Sequence, residues 1–245
     1  MNNTGNRIKA ASENHTGRVM NLLNFFSDKV AYEMLCLRTN HLSSQRIEDR
    51  RSFRLTQFVA ARASAKRLFR ALGLPSVEIS RRPDGSPDWP SSVVGSIAHS
   101  NSHVFVAIAR REDLRGLGID VETIISPKVH AEISPIYLNK NEISLIGQAD
   151  KALASTICFS AKEAFFKCLY PLTKHYFDFK DIEVTNLNYA ASRVTMRLTN
   201  ALSHEFLQGS VLEGSFRYDD HNVATAFELS KEPVSISLFA WHRAD

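Results

Sequence analysis

Leu117-Gly118-Ile119-Asp120-Val121-Glu122 is the stretch on which the fold reading turns. Its apolar, partly β-branched context marks a strand, where residues two apart project from one face, so Asp120 and Glu122 are neighbours. An Asp-Val-Glu triplet can simply decorate an exposed edge. On an otherwise buried strand, however, the two carboxylates repel each other and resist burial unless a cation compensates them. Donors that are all oxygen, with no clustered His or Cys, point to Mg2+ rather than zinc.

Working outward, the chain reads as two halves joined near Arg115 to Gly118. Upstream, the serines after Leu42, followed by Gln and Glu, open a helix. Phe53, Phe58, Ala61, Ala65, Leu68 and Leu72 form its apolar stripe, which ends at Gly73 with Pro75 beyond. Val77 to Ser80 is expected as a short strand, and the segment from Arg81 to Pro90 as a structured loop dense in turn formers. Val93 to Ala98 and Val104 to Ala109 are strands joined by His99-Ser100-Asn101-Ser102-His103.

Downstream, Leu138 to Ile146 and Ala152 to Leu169 read as helices, with Pro171 as the stop. Short alternating strands follow at Ile182 to Asn188, Arg193 to Leu198, Ser210 to Tyr218, Asn222 to Leu229 and Ser235 to Trp241. A helix followed by antiparallel strands, twice over, predicts an α+β fold of two pseudo-symmetric lobes, with the site at their interface. The expected divisions are a poorly ordered leader over 1–17, an N-terminal lobe over 18–117 and a C-terminal lobe over 118–245.

The 245 residues, 44% of them apolar, suffice for one large domain or two small ones. The net charge of +4 is concentrated between Arg38 and Arg82. A solvated helix face, a nucleic acid or a small polyanion such as a nucleotide each accounts for such a patch. A basic nucleic-acid-binding protein is therefore the competing class, although no paired-cysteine finger or aromatic ribonucleoprotein strand supports it. No apolar run approaches the roughly twenty residues of a membrane span, and the polar start from Met1 to Ala11 does not read as a signal peptide. Cys36, Cys158 and Cys168 form no CxxC pair and are expected as reduced, small core residues of a cytoplasmic protein.

The second informative block is Phe159-Ser160-Ala161-Lys162-Glu163-Ala164-Phe165-Phe166-Lys167. On a helix Glu163 and Lys167 share one face, as a surface ion pair would. The crowding of Phe159, Phe165, Phe166, Leu169 and Tyr170 instead suggests a largely buried helix whose polar positions face a cleft. His99 is either a hydrogen-bonded structural residue or, with Gly95, Ser96, Ser100 and Ser102, part of a loop offering donors to phosphate. Arg46, Arg50, Arg51, Arg54 and Arg62 offer guanidinium forks to the same kind of ligand. Metal, phosphate donors and a base together suit attack on a phosphoanhydride.

In order, Gly85-Ser86-Pro87-Asp88-Trp89-Pro90, Gly95-Ser96-Ile97-Ala98-His99-Ser100, Gly118-Ile119-Asp120-Val121-Glu122 and the Phe159 to Lys167 block resemble the signature blocks of the 4'-phosphopantetheinyl transferases. The nearest likeness is to the enterobactin-synthase component D and surfactin-type group. The resemblance implies transfer of phosphopantetheine from coenzyme A to a serine of an apo acyl, peptidyl or aryl carrier protein, releasing adenosine 3',5'-bisphosphate. It also implies a monomer with coenzyme A between its lobes, serving siderophore, non-ribosomal peptide or polyketide biosynthesis.

By the resemblance, Asp120, Glu122 and Glu163 hold Mg2+, Lys167 lies near the pyrophosphate, and Glu163 is the candidate base. His99, with Ser100, meets the 3'-phosphate, while Arg46, Arg50, Arg54 and Arg62 fall in the basic segment that contacts the nucleotide phosphates. Two positions depart from the pattern. Gly85-Ser86-Pro87 stands where many members have Gly-Lys-Pro or Gly-Glu-Pro, leaving Arg82 to supply the cation. Ala98-His99 replaces Ser-His, leaving backbone N–H groups to supply the missing donor.

Overall fold

The strand around Asp120 spans Leu114–Thr123 (β5), and both of its faces are covered. The structure is a computed structural model that describes residues 10–11, 20–37, 47–147 and 150–231. Before β5 come β1 (Ala10–Ala11), β2 (Val30–Cys36), α1 (Ile47–Ala71), β3 (Val93–His99) and β4 (His103–Arg110). After it come α2 (Pro127–Tyr137), α3 (Lys140–Ile146), α4 (Lys151–Thr173), β6 (Ile182–Asn188), β7 (Arg193–Leu198), β8 (Val211–Tyr218) and β9 (Asn222–Ser230).

Two sheets result, ordered β1-β2-β4-β3 and β5-β9-β8-β7-β6. In each, a leading strand precedes a long helix and pairs antiparallel with the last strand: β2 with β4, β5 with β9. The α+β expectation is met. The alternation of β4 shows how the layers stack. Val104, Val106 and Ile108 face Ala61, Ala65, Leu68 and Phe69 of α1. Phe105, Ala107 and Ala109 face the other way and meet Leu117, Ile119 and Val121 of β5 and Ala224 and Ala226 of β9. Beyond the second sheet, Val223, Phe227 and Phe216 pack with Phe165, Cys168 and Leu169 of α4. The order through the molecule is helix, sheet, sheet, helix, and β4 is continuously apolar because both its faces are buried.

β5 is an edge strand of its sheet, with its free side against β3. There the Ile119 N–H donates to Ser96 Oγ at 3.1 Å, so a side chain from the first sheet caps an edge donor that would otherwise be buried unpaired. The other face of β5 carries Gly116 and Gly118 against α4. A Cβ at Gly118 would overlap the Ala164 carbonyl oxygen and stand 2.5 Å from Cys168 N. Only a hydrogen fits.

Helix ends follow local chemistry. Ser126 caps α2 with Pro127 behind it, and Asn139 with Glu142 forms a capping box on α3. Asp150 accepts from the Ala152 and Leu153 N–H groups at the start of α4. The interior of α4 holds a charge that sequence reading passed over. Lys162 is fully buried, its Nζ donating to Glu142, Tyr137 O, Phe179 O and Ile182 O. Glu142 in turn accepts from Val184 N and Asn139 N. The pair ties α4 to α2, α3 and β6, and every polar atom in it is used.

Several expectations are corrected. Val77 to Ser80 forms no strand; only Ile79 is buried, and an isolated bridge joins Arg81 to Pro87. The helix expected from Leu138 starts at Lys140, because Leu138 is the buried C-cap of α2, an element the sequence reading missed along with β2. Pro171 does not stop α4, which runs two residues further to an αL cap at Lys174. In the last turn the proline forfeits one hydrogen bond, and the burial of the helix outweighs that loss. Cys158 and Cys168 are buried as expected, whereas Cys36 is exposed. Phe58 is exposed and stacks on Arg62 instead of joining the core. Arg46, residues 1–9 and 12–17 of the leader, and the expected strand Ser235 to Trp241 lie outside the described residues.

Gly118→Ala should destabilise the fold by about 3 kcal/mol or more, since the added methyl meets backbone rather than a side chain that could swing away. Urea unfolding followed by circular dichroism measures it; a loss under about 1 kcal/mol would show that α4 does not need this close approach.

Candidate metal and phosphate site

The register of α4 along β5 assembles the site. Ala164 lies over Gly118, and Cys168 over Gly116 and Gly118. Ser160 bonds to Thr225, the β9 residue paired with Asp120. Four helical residues rise about 6.0 Å and two strand residues about 6.6–6.8 Å, so the two elements stay in step over two turns. α4 is buried on most sides. From Phe159 to Tyr170 its half-buried positions are Phe159, Glu163, Phe166, Lys167 and Tyr170, a single flank at three- and four-residue spacing.

On that flank Lys167 Nζ donates to Asp120 Oδ1 at 2.6 Å. A helical side chain leans toward the N-terminus, which carries the ammonium back along β5 to Asp120. Asp120 is 3% exposed, and its Oδ2 is buried without a hydrogen-bond partner. An anionic oxygen left bare in the interior is costly, and a cation is the natural complement. Burial first, then the charges of Asp120 and Glu163, push the Glu122 carboxyl up to about 8, with Lys167 opposing. Glu163 is also raised, by burial and by Asp120, against the lowering effect of Lys167.

These three carboxylates therefore form one electrostatic cluster with a single ammonium inside it. Among the described residues no three His, Cys, Asp or Glu side chains already converge as a ligand set. The Lys167 ammonium occupies one Asp120 oxygen. The donor set is all oxygen and carries an unpaired buried lone pair, which suits a hard divalent cation.

The remaining expected residues lie on other elements, with these partners. His99 is exposed at the end of β3. Ser100 is buried, its hydroxyl accepting from His103 N while its carbonyl accepts from Gln57 Nε2, so it closes the β3–β4 turn. Arg50 and Arg54 are exposed on α1. Arg62 donates to Ile79 O at 3.1 Å, and burial followed by the nearby Arg81 charge lowers its pKa. Arg82 pairs with Asp88 at 2.8 Å. Two guanidiniums in mutual repulsion invite an anion. Arg81 was missed by the sequence reading, and the Arg81-Arg82 pair was its only signal. The loop carrying them is joined to α4 through Tyr170 OH, which donates to Asp84 at 3.1 Å.

The profile of the 4'-phosphopantetheinyl transferase superfamily matches residues 116–226, from β5 to β9, and that of the 4'-phosphopantetheinyl transferase N-terminal domain matches residues 43–109. The chain belongs to the 4'-phosphopantetheinyl transferase superfamily.

Among similar members, 4'-phosphopantetheinyl transferase Npt of Nocardia iowensis is 32% identical over 59% of this chain and 63% of its own length. 4'-phosphopantetheinyl transferase PptT of Mycobacterium tuberculosis is 31% identical over 54% of this chain and 58% of its own. Enterobactin synthase component D of Salmonella typhimurium is 26% identical over 74% of each chain. The first two matches span less than two thirds of those relatives. The N-terminal match takes in α1 and the first hairpin, and the other takes in the carboxylate strand and α4.

The raised Glu122 and Glu163 set a pH dependence. The folded protein holds protons that the unfolded chain releases near the ordinary carboxyl value of 4.5, so the stabilising contribution is complete below that value; that of Glu122 fades as pH rises through about 8, and Glu163 acts in the same direction. Metal-free protein in EDTA should therefore lose urea resistance between pH 5 and 8.5, and Glu122→Gln should flatten the slope. An unchanged slope in that variant would remove Glu122 from the cluster.

Proposed function

We propose that this chain transfers 4'-phosphopantetheine from coenzyme A to a serine hydroxyl of an apo carrier protein, releasing adenosine 3',5'-bisphosphate. The observation that supports it best is Asp120, one oxygen held by Lys167 and the other buried and unpaired, beside Glu122 and Glu163. Mg2+ held by those three carboxylates would offset the charge that develops on the departing bisphosphate.

The chain's own groups do the rest. Glu163, made more basic by burial, takes the serine proton as the serine oxygen bonds to phosphorus and the phosphoanhydride P–O bond breaks. Lys167 balances charge on the transferred phosphoryl group. The α1 arginines Arg50, Arg54 and Arg62, with Arg81, Arg82, His99 and the Ser100 turn, form the wall that receives the nucleotide phosphates. In this reading residues 18–117 bind the nucleotide, and residues 118–245 hold the metal and the carrier.

A carrier surface fits on α2 and α3, where Ile136 and Ile143 are 68% and 53% exposed and Leu145 stands beside them. Leu138 and Ile146 in the same stretch are core residues. Relatives named enterobactin synthase component D favour a role in siderophore or other secondary metabolism. Among the described residues no helix is long and apolar enough to cross a membrane. The competing nucleic-acid reading would use the exposed Arg50, Arg51 and Arg54 of α1 and leaves the carboxylate cluster without a role.

Incubation with coenzyme A, Mg2+ and a panel of apo carriers should add one phosphopantetheine mass to a carrier serine by mass spectrometry. Asp120→Ala should abolish transfer, more than about a hundredfold, while leaving the circular dichroism spectrum unchanged. No mass gain on any carrier would overturn the assignment, and full activity in Asp120→Ala would remove the metal site from it.

A further inference from the structure

Thr225 is a buried hydroxyl that the reaction does not touch, yet it stands directly opposite Asp120 in the β5–β9 register. Its Oγ1 donates to Ser160 O at 2.8 Å, which commits its one hydrogen. The 2.9 Å contact between Ser160 Oγ and Thr225 Oγ1 must then run from serine to threonine. Two hydrogen bonds thus pin α4 to β9 three residues before Glu163, at the level of Asp120.

The Lys162 bond to Ile182 O holds α4 to β6, at the opposite edge of the sheet, and the anchors on the β5 side differ in kind. The Gly118 and Gly116 contacts with Ala164 and Cys168 set how close the helix lies and are steric. They limit approach and leave sliding along the strand less restricted. The Lys167 to Asp120 bond runs through a long, flexible side chain and belongs to the ligand cluster itself. The directional bonds of Thr225 oppose axial drift of α4, and such drift would change the separation of Glu163 from Asp120 and Glu122.

We propose that Thr225 is a positioning residue for the metal centre: its hydroxyl, through Ser160, fixes the height of Glu163 along β5, and so the gap between Glu163 and Asp120 that a divalent cation would have to close. This rests on the metal assignment above. Residues that orient ligands without touching the metal typically change affinity by about ten- to a hundredfold when replaced. Thr225→Val keeps the β-branched shape and removes the hydroxyl, Thr225→Ser keeps the hydroxyl, and Ser160→Ala removes one of the two bonds.

The test is the half-saturating Mg2+ concentration for thermal stabilisation of the full chain, with Mg2+ alone as probe, alongside carrier modification at varied Mg2+. Thr225→Val should raise the half-saturating concentration about tenfold, with transfer recovering at high Mg2+. Thr225→Ser should stay within about twofold of the parent protein, and Ser160→Ala should fall between the two. A Thr225→Val protein with the parent's Mg2+ response, or a Thr225→Ser protein as impaired as Thr225→Val, overturns the proposal. If Thr225→Val does not fold, an unshifted Ser160→Ala overturns it. A parent chain that binds Mg2+ but modifies no carrier would defeat the proposed reaction while leaving this ratio to decide the role of Thr225. A parent chain with no Mg2+ response would overturn both the clamp and the metal assignment.

Discussion

The close approach of β5 and α4 at Gly118 is the constraint on which the rest depends. A strand and a helix can share a face over two turns only if no side chain holds them apart, and Gly118 and Gly116 provide that clearance. The same strand face then turns Asp120 and Glu122 toward the helix that carries Glu163 and Lys167. Burial pushes the Glu122 and Glu163 carboxyls up, and the neighbouring Asp120 charge pushes them further. The fold thus builds a local charge imbalance that one lysine only partly relieves.

Around this contact the architecture separates binding from support. The opposite face of β5 is wholly apolar and fuses the two sheets through Leu117, Ile119 and Val121. The far side of α4 is locked by Lys162 and Glu142, whose polar atoms all find partners in α2, α3 and β6. One flank of α4 is half-buried, and at its end Tyr170 reaches Asp84 in the loop that follows Arg81. Polar groups held in place by such packing need no reorganisation when a ligand arrives.

Much of the fold was legible because periodicity and burial agree. The β3–β4 hairpin, the four strands β6 to β9 and the long helices α1 and α4 announce themselves by alternation or by three- and four-residue apolar spacing. The misreadings have local causes. Val77 to Ser80 is apolar enough for a strand but finds no pairing partner there. Pro171 is a stop signal in isolation, yet the packed end of α4 tolerates one lost hydrogen bond. β2 was missed because Val30 to Cys36 mixes Glu33 into its apolar run, and Glu33 is buried only because Arg67 of α1 reaches it.

The sequence by itself determined which side chains share a face: Asp120 with Glu122 on a strand, Glu163 with Lys167 on a helix. Backbone periodicity fixes that, independent of the surroundings. Tertiary structure decided everything that depends on distance. It brought Lys167 onto Asp120, left the second Asp120 oxygen unpaired, and spent the Ser96 and Ser100 hydroxyls on backbone bonds in place of ligand contacts. It also made Lys162, one residue before Glu163, a buried structural charge. Adjacent helical positions point about 100° apart, so neighbours in sequence can face a protein interior and a cleft.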